Sequence, residues 1–152
     1  MVEVDTGRFT VGVFQDAAWA KKGIAALKGI GIVADVLSII AKDTPENAGL
    51  FQETFNLPGD HLDIAAAGGV LARGPLVAVL QGASRDLATL GLSGTMRRVG
   101  FQAHDGRIFE ALTSRGGVLV AIKSESRAAD SLAVLMSYGG GNAAIGAWTG
   151  RV

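Results

Sequence analysis

Apolar positions along the chain fall into short unbroken runs separated by longer periodic stretches, and their order predicts the elements. "FTVGVF" (9–14) mixes β-branched and aromatic residues and reads as a buried strand. Gln15-Asp16 interrupts it. Asp16 is placed to cap a helix in which Ala20, Gly23, Ile24 and Leu27 share one face while Lys21, Lys22 and Lys28 stay outside; Gly29 and Gly31 end it. "IVADVLSIIAK" (32–42), rich in Ile and Val, is the next strand, so the opening is a βαβ unit. The order returns near the C-terminus. "GVLVAIK" (117–123) is a strand, and Ser126 is a cap ahead of Ala129, Leu132, Ala133, Leu135 and Met136. Gly139-Gly140-Gly141 is a stop, and "NAAIGAW" (142–148) is a last, weaker strand. With an offset of roughly 110 residues, cap falls on cap and stop on stop, which is the signature of a structural repeat rather than of shared side chains.

Between the repeats, Thr44 as cap and Pro45 in the first turn open a helix carrying Leu50, Phe51, Thr54 and Phe55, and Pro58-Gly59 ends it. Then comes "HLDIAAAGGVLARGPLVAVLQGA" (61–83), whose only charges after the histidine are Asp63 and Arg73. A membrane helix needs about 20 apolar residues, so its length suffices. Its middle does not: Arg73 there costs roughly 2.5–3.5 kcal/mol on the insertion scale, and Gly74-Pro75 breaks the hydrogen-bond ladder. The stretch divides into extended or hairpin structure over "LDIAAAGGVLAR" and a helix over "PLVAVLQGASRDLATLG" with Pro75 in its first turn. Gly74 then forms a strand-to-helix corner that tolerates no side chain, and the head of Arg73 reaches solvent. The chain is expected to be one domain, with a βαβ unit at 8–43, a helical, Gly/Ala-rich middle at 44–115 and a second βαβ unit at 116–149.

Composition narrows the functional classes. In 152 residues, 14 Lys and Arg balance 14 Asp and Glu without blocks of one sign, so there is no electrostatic footprint for nucleic acid or an anionic membrane. Arg97-Arg98 is the one basic doublet of note. The absence of cysteine excludes disulfides, thiolate metal sites and cysteine nucleophiles, and suits a reducing cytoplasm. The opening "MVEVDTGRFT" has acids where a secretory leader has basic and then apolar residues, so a cytoplasmic location is expected. The 22 glycines are scattered among apolar residues, which favours close packing and tight turns over a linker.

Three segments, "TVGVFQDAAWAKKGIAALKGIGI", "GGVLARGPLVAVLQG" and "GLSGTMRRVGFQAHDGRIFEALTSRGGVLVAIKSESRAADSLAVL", resemble in order and spacing the bacterial general stress (heat-induced) protein family of the YflT-like type, over most of the chain from Phe9 onward. The matching positions are Gly74-Pro75 and the strand start Gly116-Gly117-Val118-Leu119-Val120-Ala121. The resemblance implies a ferredoxin-like α+β fold and gives structural roles to Gly74, Pro75, Gly116 and Gly117. It supplies no active-site residues. This chain also lacks the longer glycine-zipper middle of some members.

Candidate chemistry is sparse. His104-Asp105, with His61 and Asp63, has the residue types of proton transfer or metal binding, but Asp105 reads better as the cap of "GRIFEALTSRG" and no catalytic or metal site is expected. "GIGIVA" (29–34) has the letters of a dinucleotide fingerprint in the wrong context, helix then turn then strand. "GLSGT" lacks the spacing of a nucleophile elbow, and Ser93 reads as a helix cap. Arg97, Arg107 and His104 remain as candidate ligand-binding residues, because guanidinium forks suit phosphate and carboxylate. The small residues Ala65, Ala66, Ala67, Gly68 and Gly69 leave room for a small apolar ligand. Trp19 and Trp148 read as anchors at subunit contacts. The expectation is therefore a non-enzymatic, stress-associated domain acting through self-association or protein interaction, a homo-oligomer without cofactor, membrane span or nucleic-acid partner. The alternative is a small-molecule-binding or enzymatic domain with an apolar pocket near His104 and Arg107.

Overall fold

The computed structural model describes residues 8–65, 67–123, 128–138 and 148–151. In chain order the elements are β1 (Arg8–Phe14), α1 (Ala17–Gly29), β2 (Leu37–Lys42), α2 (Pro45–Phe55), β3 (Asp60–Ile64), β4 (Gly68–Arg73), α3 (Pro75–Gln81), α4 (Asp86–Arg98), α5 (Ala103–Ser114), β5 (Val118–Lys123), α6 (Ala128–Ser137) and β6 (Trp148–Arg151). The strands form one sheet in the order β3-β4-β2-β5-β1-β6, with every neighbouring pair antiparallel. The chain is thus α+β. β1 and β2 both run against β5, which lies between them, so they are parallel to each other and α1 is their crossover. By the same reasoning β5 and β6 flank β1, and α6 crosses between them. The β3–β4 hairpin extends the sheet beyond β2.

The unbroken apolar runs have a direct cause: both faces of the central strands are covered. Alternation along β2 sends Leu37, Ile39 and Ala41 to one side, where Ala20, Ile24 and Leu27 of α1, Phe51 of α2 and Leu135 of α6 meet them. Ile40, with Val11 of β1 and Leu119 of β5, faces the other side against Leu76, Leu80, Leu87, Met96 and Phe109 from α3, α4 and α5. β2 and β5 are buried along their length up to their terminal lysines, whereas β3 at the sheet edge is largely exposed.

The chain gains the second face at Gly74. Its φ is +122°, and a Cβ there would lie 2.4 Å from both the Leu37 carbonyl oxygen and Ser38 Cα. With no side chain of its own to cap α3, the corner borrows one: Leu76 N–H donates to Ser38 Oγ at 2.9 Å, in a buried bond spanning 38 residues of sequence. Pro75 occupies the first turn, as the sequence predicts. The head of Arg73 reaches the surface, as expected, and is also engaged there: its Nε donates to the Pro58 carbonyl at 3.0 Å and Nη2 lies 3.9 Å from Asp60, which holds it against the β3 entry.

Other boundaries also differ. The strand expected from Ile32 begins only at Leu37. Gly31 leaves α1 with φ +98°, Ile32 N–H folds back to the Leu27 carbonyl, and Ala34–Val36 closes a 3-10 turn that buries Ile32 beneath α1. The helix expected from Pro75 to Gly91 is broken into α3 and α4 at Gly82 (φ +58°) and Arg85 (φ +53°), where Gln81 Oε1 accepts from Leu87 N–H. Ser126, Gly139-Gly140-Gly141 and the strand expected over 142–147 lie outside the described residues; β6 starts at Trp148.

Gly74→Val is expected to destabilise the fold by about 3 kcal/mol or more, since backbone strain and backbone crowding coincide. Arg73→Gln, which loses one polar contact at a partly exposed site, is expected to cost about 1 kcal/mol. Urea unfolding of the two variants beside the parent checks this, and equal midpoints for Gly74→Val and the parent would refute the corner.

Candidate functional site

The residues expected to bind a ligand stand on the outer side of the α4–α5 layer. Arg97 is exposed in the last turn of α4, and His104 and Arg107 are exposed on α5, one helical turn apart. None of them lines the cleft at the starts of α1 and α2, the hollow between α1 and α2, or the groove between α1 and α6. Arg98, the second half of the basic doublet, turns inward: Nη2 donates to the Val79 and Leu80 carbonyls, and Nε meets Asp86 Oδ2 at 3.2 Å. It satisfies the last carbonyls of α3 and ties α3 to α4.

His61 and His104 do not meet. Leu62 and Ile64 of β3 face the α4 side of the sheet, so His61 faces the other way, where Nδ1 lies 3.0 Å from Asp43 Oδ2. Among the described residues no group of three or more His, Asp or Glu side chains is arranged to hold a metal ion. The two caps expected in this layer are not caps. Asp105 lies in the first turn of α5 with Oδ2 buried and unpartnered, because the helix starts earlier, at Ala103, behind Gln102. Ser93 lies inside α4, just after a break at Gly91 (φ +74°), and its N–H donates to Glu110 Oε2 at 3.2 Å. Glu110, reaching from α5, thus serves the start of the second half of α4. A Cβ on Gly91 would lie 2.9 Å from that same oxygen and 3.0 Å from the Ala65 carbonyl oxygen.

A cleft of about 590 Å³ lies where β1 and β2 stop and β5 begins. Because β1 and β2 are parallel, the helices that follow them start side by side. Asp16 Oδ1 accepts from Trp19 N–H at 2.9 Å to cap α1, and Thr44 Oγ1 accepts from Asn47 N–H at 3.2 Å to cap α2, both as the sequence predicts. Asn47, only 5% exposed, donates from Nδ2 to the Lys42 carbonyl and so locks the β2–α2 turn. Lys42 reaches across to the Ala67 carbonyl at 2.6 Å. The α5–β5 turn closes the cleft with Arg115 and Gly116. Gly117 sits so close to Leu112 O and Val13 Cγ1 that a Cβ would lie within 2.8 Å of each, which accounts for a structural role there.

Chemically the cleft is balanced. Lys42 and Arg115 share its lining with Asp16 and Glu46, and the partial positive charge of two helix starts is already met by their own caps. Its lining holds no histidine to serve as a base, and the Thr44 hydroxyl oxygen is engaged as a cap. Sequence reading finds both caps but not the cleft, because only the parallel relation of β1 and β2 brings the caps to one end.

A second concavity, of about 400 Å³, runs between α1 and α6 and is lined by Gln15, Trp19, Met136, Ser137 and Tyr138. Trp19 is 40% exposed and Met136 44%. Lys22 Nζ stands 4.7 Å from the Trp19 ring centroid, a cation–π contact at the rim. Leu135 is buried and Met136 beside it turns outward, since adjacent helical positions point about 100° apart.

Set against protein-family models, curated proteins and solved structures, the chain finds no match in any of the three.

Asp16→Ala and Thr44→Ala are each expected to cost about 1 kcal/mol through loss of a cap, whereas His104→Ala and Arg107→Ala, on exposed helix positions, are expected to stay within about 0.5 kcal/mol of the parent. Denaturant midpoints of the four variants check the contrast. Equal losses at all four positions would contradict the assignment of the caps.

Proposed function

We propose that this chain is a non-enzymatic domain that works by self-association in the cytoplasm, its contact built on the outer faces of α1 and α6. The observation that carries the proposal is the groove with Trp19, Met136 and Tyr138 at its surface. These are the residue types that anchor protein interfaces, and Trp and Tyr are the usual hot spots. Trp19 and Met136 stand exposed although Ala20 and Leu135 beside them are buried, and Tyr138, half-buried against the core that includes α1 and Leu135, forms the floor of the groove.

A second copy of the chain is the occupant that the surroundings favour. α6 packs on α1 and over β1 and β6, and among the described residues β6 is the outer strand of the sheet on this side, paired with β1 alone. An edge paired with its own copy about a two-fold axis exchanges hydrogen bonds in both directions, and a net charge of zero puts no overall repulsion between copies. The other edge, β3, carries Asp60, His61 and Asp63, charges and polar groups that discourage pairing. The balanced charge equally supports a protein partner over nucleic acid, and among the described residues no helix is long and apolar enough to cross a membrane.

The ferredoxin-like reading of the core belongs to the same proposal. It is supported by the order β2-β5-β1-β6 with α1 and α6 as crossovers, 44–115 then being an insertion that adds a hairpin to the sheet and three helices to its second face. Membership of the YflT-like general stress family rests on the motifs around Gly74-Pro75 and Gly116–Ala121.

Sedimentation velocity of the whole chain over a concentration series tests the function directly. Reversible association is expected, and Trp19→Ser should weaken it by about tenfold or more while His104→Ala leaves it unchanged. A strict monomer at the highest attainable concentration would overturn the proposal, and association indifferent to Trp19→Ser would remove this face from it.

A further inference from the structure

We draw no further inference here: the strongest candidate, the cleft at the ends of β1 and β2 where the starts of α1 and α2 meet Lys42 and Arg115, belongs to the site already described, and its helix N-termini hold their own caps with no second feature beside them that points to a ligand.

Discussion

Everything in this fold answers to one constraint: the three central strands are apolar on both sides, so the sheet must be covered twice. Phe9, Val11 and Val13 of β1, Ile40 of β2 and Leu119 of β5 need one layer, while Phe14, Leu37, Ile39, Val118, Val120 and Ile122 need another. At about 25 cal/mol per Å² of apolar surface, leaving either side in water would forfeit more than the marginal stability of a domain this size. Crossovers α1 and α6, with α2 beside them, close one side. The other is closed by α3, α4 and α5, all drawn from the middle of the chain.

Reaching that second side requires the chain to turn sharply as β4 ends, and the turn is possible only because Gly74 passes against the backbone of Leu37 and Ser38. Ser38 is the polar residue in a strand otherwise apolar up to its terminal lysine, and it points to the side on which α3 begins. One hydroxyl thus satisfies an orphan backbone donor that would otherwise be buried without a partner. Farther along, Glu110 supports the start of the second half of α4 across the Gly91 break. The middle segment is held by long-range polar contacts of this kind as well as by its apolar side chains.

The sequence made part of this legible. Helix starts at Asp16, Thr44 and Pro75 are local signals, carried by a side chain or ring within three residues of the backbone it serves, and they appear where expected. The βαβ opening was legible for the same reason, through the face formed by Ala20, Gly23, Ile24 and Leu27. Misread features depend on distant partners. Ser93 and Asp105 look like caps, yet the helix starts beside them are set by Gly91, Glu110 and Gln102. Ile32 has the composition of a strand residue but is worth more beneath α1. The cleft between Asp16 and Thr44 needed strand order, which no periodicity encodes. The groove beside Trp19 was not legible, because Met136 and Tyr138, in and just after α6, lie more than a hundred residues away in sequence.

Amide hydrogen exchange of the native chain tests the double covering most directly. If both faces of the central strands are sealed, amides of β1, β2 and β5 exchange only through global unfolding and share one protection free energy, well above that of the edge strand β3. Amides of β2 and β5 that exchange as fast as those of β3, under conditions where the chain stays folded, would contradict the account by showing that one face of the sheet is open to water.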